Sequence, residues 1–325
     1  MARQTIYKKV YCKNAVFQDR REKPTIQAKL SDALTKLKKV GKRKEVLGDD
    51  ERYVRAIIYH RQNANMLFGI LASYERGTHQ LTVAEDDDAE MLSVEQVAPP
   101  NSEEDKRREF LEGLCYFGCY KNHIVVVPSR ALGIKPFEAH TNWLLLKAGS
   151  IPASNRVGFS DQIAQATKEK IRTAHVKEVE IGAPLIDPDS IEQKEVKGQR
   201  FSSFEYGGFG VDMLRQILGK DKVDGMRLAD ALDGNIEVSL RVRYKRATTE
   251  KAHKLLDNIA LAVRNIDEDE VKLILAGGGT VQGSELKLSA MLGVESFDGI
   301  PNPDDLFQKM QAWLTDQIQN KIIEP

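Results

Sequence analysis

At 325 residues the chain is long enough for two domains, each with its own core. Its 48 Lys and Arg balance its 48 Asp and Glu, which excludes a globally basic binder: affinity for a polyanion must come from local segregation of charge. With 41% hydrophobic and 30% charged residues it reads as an ordinary soluble globular protein, and its apolar runs, such as that near 124–127, are far too short for direct membrane insertion. The first residues lack a hydrophobic signal core, and three cysteines, an odd number, point to a reducing, cytoplasmic setting.

In chain order, 5–12 reads as a polar, alternating strand. Pro24 and Thr25 open a helix with Ile26, Leu30, Ala33, Leu34 and Leu37 on one face. Strands fit 52–59, 66–73 and 80–83, and an acidic, Pro-containing insertion follows near 85–104. A hairpin at 110–127 turns at Lys121-Asn122, Pro128 stops it, and Pro136 opens a helix reaching 147. Residues 150–159 read as a linker. Beyond it the pattern gives a helix at 161–173, a strand at 176–181, a polar loop at 184–199 and a helix at 211–218 closed by Gly219. A basic strand at 235–246 and its helix come next, then strands at 271–275 and 285–292 joined by Gly277-Gly278-Gly279, and a last helix from Pro303. The expected fold class is α+β. A mainly antiparallel N-terminal sheet with helical cover occupies 1–150, and a β-α-β-β-α domain occupies 160–325.

The most informative stretch is the basic strand. Ile236, Val238, Leu240, Val242 and Tyr244 alternate with Glu237, Ser239, Arg241, Arg243 and Lys245, the period-2 pattern of a half-buried strand. Arg241, Arg243 and Lys245 then share the outer face, and Arg246 extends the row. A second basic run, Lys36, Lys38, Lys39, Lys42, Arg43 and Lys44, lies at a helix C-terminus. There its cations either favour the helix dipole or contact phosphates without reading sequence. Aromatics near both patches are few, so base stacking is not indicated.

Other constellations carry less chemistry. Cys115, Cys119 and His123 lack a fourth metal ligand, and the two cysteines read as core residues. The six histidines show no metal-binding spacing. Gly277-Gly278-Gly279-Thr280 lies between strands and lacks the Gly-Lys-Ser/Thr ending of a phosphate loop. Tyr206-Gly207-Gly208-Phe209-Gly210 could offer backbone N–H groups to an anion, or pack closely. No catalytic residue, metal or cofactor is expected.

The element order resembles the RexA family of phage-exclusion proteins. Three segments carry the likeness: 114–128 before a helix at 137–146, the helix at 211–219, and the basic strand and helix at 236–259 with the hairpin at 271–292. The resemblance implies a non-enzymatic, dimer-forming DNA-binding sensor of anti-phage defence, often with a membrane-protein partner. Of these properties, DNA contact carries over onto Arg241, Arg243, Lys245 and Arg246. Two alternatives stand beside it: an enzyme acting on nucleic acid or nucleotides through dispersed carboxylates, and an interaction subunit for an acidic partner. The amphipathic C-terminal helix either caps its own domain or contributes to a homodimer.

Overall fold

In the computed structural model, the described residues are 3–19, 24–48, 50–63, 65–83, 91, 94–100, 107–184, 192–195, 202–205, 209–224, 236–244, 249–263, 270–276 and 278–324. They confirm the α+β class and form two compact units: Met1–Gln162 with Leu288–Pro325, and Ile163–Lys287. This division differs from the expected 1–150 and 160–325. The second unit is an insertion, and the last strand and helix return to the first.

The first unit contains β1 (Arg3–Phe17), α1 (Ile26–Lys36), β2 (Lys44–Leu47), β3 (Tyr53–Asn63), β4 (Met66–Glu75), β5 (Gln80–Val83) and β6 (Val94–Val97). It continues with β7 (Leu111–Tyr120), β8 (His123–Val127), α2 (Ile134–Lys147) and β9 (Val157–Asp161). The nine-stranded antiparallel sheet runs β17-β16-β1-β8-β7-β4-β3-β2, with β9 also on β1, where β16 (Ser289–Phe297) and β17 (Ile300–Pro301) come from beyond the insertion. Alternate strand residues feed two cores, as period 2 requires. Leu71, Phe117, Ile124 and Val126 pack under α1 and α2, whereas Phe68, Tyr116, Val125 and Val10 pack under α7 (Pro303–Gln319).

Local chemistry sets the element ends. The Thr25 hydroxyl accepts the Ala28 N–H at 3.3 Å, and the Asn302 side chain accepts that of Asp304 at 3.0 Å with Pro303 in the first turn. Lys121 adopts φ +53° in the β7–β8 turn, and the neighbouring Asn122 side chain accepts the Ile26 N–H at 2.9 Å, tying that turn to the start of α1. Pro136 is the third residue of α2, not its first. The expected linker at 150–159 instead leads into β9, whose Asp161 forms a buried ion pair with Lys13 of β1. Among the described residues β5 and β6 pair only with each other, and most of the acidic insertion lies outside those residues.

The second unit contains α3 (Gln165–Ala174), β10 (Val176–Pro184), β11 (Glu192–Glu195), β12 (Ser202–Glu205), α4 (Phe209–Leu218), α5 (Lys220–Asp224), β13 (Glu237–Arg243), α6 (Glu250–Ala262), β14 (Val271–Leu275) and β15 (Thr280–Gln282). Its sheet runs β13-β10-β14-β15, with Ile171, Val179, Leu256, Ala260, Leu273 and Val281 in one core. Gly219 closes α4 at φ +91°, and Gly278 and Gly279 turn the β14–β15 hairpin at φ +86° and +91°. The hairpin's second strand is the short β15; Glu285 lies in a 3-10 turn, and 289–297 leaves for the first unit. No helix among the described residues is long and apolar enough to cross a membrane.

Candidate nucleic-acid interface

The basic strand β13 lies at the edge of its sheet, paired antiparallel to β10 with Arg241 opposite Glu180 and Arg243 opposite Glu178. This register answers the cations with carboxylates. Arg241 Nη2 donates to Glu180 Oε1 at 2.9 Å, and its Nε lies 3.0 Å from Glu178 Oε1. Arg243 Nη1 lies 3.8 Å from Glu178 Oε2. The hydrogen bond to Glu180 and the charge of Glu178 push the Arg241 pKa above its ordinary value. Leu240 stays 40% exposed, so even the apolar face is only partly covered. The stripe is therefore largely neutralised within its own sheet, unlike the bare row expected from alternation alone. Lys245 and Arg246 lie outside the described residues.

The second run behaves differently along its length. Lys36 pairs with Asp32 at 2.6 Å one helical turn back, and this bond holds the Asp32 carboxyl below its usual range. Arg43 is buried, its Nε and Nη1 have no hydrogen-bond partner among the described residues, and burial pulls its pKa down. Lys44 reaches over the Tyr74 ring at 5.8 Å. Lys38, Lys39 and Lys42 are exposed, and among the described residues no side-chain partner engages them. Lys38 and Lys39 follow the C-terminus of α1 and Lys42 lies within the 3-10 turn at Val40–Arg43, so one short stretch carries three ammonium groups with no side-chain partner among the described residues.

A third constellation escaped sequence reading. His175, held at φ +53° and ψ 148° after α3, donates to Asp257 Oδ2 at 2.8 Å, and Asp257 Oδ1 accepts the Val176 N–H at 2.7 Å. That backbone region is strained for a residue with a side chain. The His175 ring stacks on His253 with centroids 4.9 Å apart, and Tyr244 meets His253 edge-on at 5.2 Å. Asp257 and His253 belong to α6 and Tyr244 directly follows β13, so the cluster forms only when the second unit folds. Sequence spacing carries no trace of it. Among the described residues, no group of three His, Cys, Asp or Glu is placed to hold a metal.

Cys12, Cys115 and Cys119 are free and fully buried. Burial pushes the Cys12 thiol up to about 12 and the other two higher still. These are core side chains, as their spacing suggested. The sequence matches no protein-family model and no curated protein.

Proposed function

We propose that this chain contacts the phosphate backbone of DNA through the Lys36–Lys44 run, largely without regard to base sequence. The supporting observation is the unpaired, exposed group Lys38, Lys39 and Lys42, in a chain whose other basic row is answered by Glu178 and Glu180. Cations without carboxylate partners can release condensed counterions from a polyanion at no cost in broken ion pairs. Phage exclusion, a cytoplasmic setting, a homodimer and a membrane-protein effector belong to this reading on the resemblance to RexA and the odd cysteine count. Of the two roles open to the C-terminal helix, the burial of Leu306, Phe307, Met310 and Leu314 of α7 on its own sheet supports the cap.

Fluorescence anisotropy with duplex and single-stranded DNA over a salt series tests the reading. Three phosphate contacts give a slope of about −2.7 in log K against log salt, or about 40-fold weaker binding between roughly 50 and 200 mM. Lys38→Gln, Lys39→Gln and Lys42→Gln together should remove most of that slope while the melting curve holds. Binding that is insensitive to salt, or indifferent to the triple substitution, would sink the proposal.

The His175–Asp257 pair favours the enzyme as second reading, since an oriented imidazole on a strained backbone is suited to general-base work. Loss of nucleic acid on incubation, abolished by His175→Ala, would select it.

A further inference from the structure

The arginines of β3 are both answered by carboxylates. Arg55 meets Glu45 at 3.3 Å and donates to the Pro136 carbonyl at 3.1 Å, and Arg61 pairs with Asp304 at the start of α7. Arg43 ends the 3-10 turn Val40–Arg43, just before the outermost strand β2, and is not answered. It is also the more deeply buried, 3% exposed against 9% for Arg55. Among the described residues its Nε and Nη1 have no hydrogen-bond partner and no carboxylate forms an ion pair with it. Glu45, two residues on, is already shared by Arg55 and His140.

A guanidinium keeps its proton in proteins, so burial cannot be relieved by neutralising it. A buried charge left without a partner is penalised far more than a buried pair. Burial lowers the Arg43 pKa, and no carboxylate among the described residues pulls the other way. The same charge reaches His60 of β3, whose pKa falls through burial first and Arg43 second. Outside the turn, Lys38, Lys39 and Lys42 stand exposed. Three ammonium groups over a bare, buried guanidinium are short of one anion.

The cover over Arg43 is slight. The Lys42 N–H donates to Lys39 O at 2.9 Å, and Lys39 caps the turn without a side-chain bond. A Cβ on Gly41 would meet nothing within 4 Å, and Gly41 is not among the residues of positive φ. Neither space nor backbone conformation demands a glycine there, so its effect is to loosen the turn. The form of the anion follows from this cover. A phosphodiester within a strand is flanked by two sugars, whereas a terminal monoester protrudes and carries up to about two charges.

We propose that Arg43 receives a phosphate monoester, the terminal phosphate of a nucleic-acid strand, which shifts the Val40–Arg43 turn and pairs with the guanidinium beneath it. This rests on the reading that Lys38, Lys39 and Lys42 meet nucleic-acid phosphate, and adds which phosphate is kept. The planar fork of arginine suits two-point contact with an oxyanion, which a lysine in its place does not.

Anisotropy with short single strands of one sequence, ended by a 5′-phosphate, a 3′-phosphate or hydroxyls alone, tests this on the full chain. A phosphate-ended strand should bind about tenfold tighter than the hydroxyl-ended one. Arg43→Lys and Arg43→Met should each lose that preference. Lys38→Gln, Lys39→Gln and Lys42→Gln together should weaken both strands and keep the ratio between them. Without ligand Arg43→Met should melt above the wild type, because the unpaired charge is gone. Inorganic phosphate, against chloride at matched ionic strength, should raise the wild-type melt and leave that of Arg43→Met in place. Equal affinity for phosphate-ended and hydroxyl-ended strands would overturn the proposal while the lysine reading stood; no binding of either would remove both. A preference or a phosphate-raised melt that survives Arg43→Met would also overturn it. Competition by a mononucleotide as strong as by the strand would replace the strand end with a free nucleotide as the ligand.

Discussion

His140 has no exposed surface, and its Nδ1–H donates to Glu45 Oε2 at 2.8 Å while Nε2 has no partner among the described residues. Arg55 holds the same carboxylate at 3.3 Å and donates to the Pro136 carbonyl at 3.1 Å, which ties β2 and β3 to α2. Burial lowers the pKa of His140 from its ordinary 6.5, against the opposing pull of Glu45; it also lowers those of His123 and His60. Below about pH 6.5 the unfolded chain then takes up protons that the folded one refuses. Stability is full above that pH and falls as the solution is acidified. Denaturant titrations from pH 8 to 5 should show the decline, at most about 1.4 kcal/mol per pH unit for each proton. His140→Asn, which keeps a donor for Glu45, should make it shallower; a flat wild-type profile would contradict the burial argument. At this scale the cysteines were legible, because small apolar side chains inside an apolar run have one sensible place to go. His175 and Asp257 were not, because a contact between residues 82 positions apart leaves no periodic mark.

Two ion pairs show how elements find their partners. Lys13 and Asp161 are both buried and join β1 to β9. Removing one member of such a pair typically costs about 3–5 kcal/mol, since the other charge stays buried. Lys13→Met should fall in that range, and Lys13→Met with Asp161→Leu should regain much of the loss; additive losses in the double-mutant cycle would rule out the pairing. In the second unit Arg241 serves two glutamates of β10, of which Glu178 is buried. Arg241→Ala is expected to lower the melting temperature of that unit, with Glu178→Gln restoring part of it. The same substitution in a solvated stripe would leave the melt unchanged. Alternation along β13 gave its faces correctly but was silent about β10, whose own Glu178 and Glu180 fall in register. The strand expected at 285–292 overlaps β16 at Ala290 and Leu292 but begins too early, in the 3-10 turn at Gly283–Leu286. Nothing in them names β1 as the partner in preference to a neighbour in sequence.

At the level of the whole molecule, the chain leaves the first unit at Gln162 and re-enters it at Leu288, and these two residues are joined by a 2.7 Å hydrogen bond from Leu288 N to Gln162 O. Ends this close make the inserted unit removable in principle. A chain in which 163–287 is replaced by a short Gly-Ser link should fold, keep the near-ultraviolet signature of the core around Phe117, Phe137 and Phe307, and melt cooperatively. If phosphate contact resides in the Lys36–Lys44 run, this shortened chain should also keep its DNA affinity. Retained folding with lost affinity would move the interface into the inserted unit, where Arg243 and Tyr244 lie.

The same junction dictates a timetable. Arg3 pairs with Phe297, so the first strand leaves the ribosome long before its neighbour exists. At about 5–20 residues per second that delay is about 15–60 s, during which one edge of β1 is an open template for pairing with other chains. The inserted unit is completed first, and once folded it brings 162 and 288 together. What would have been a long floppy closure becomes a short one, and its entropic penalty falls accordingly. Destabilising the second unit should therefore slow the completion of the first and raise aggregation of the nascent chain, even where the finished first unit is untouched.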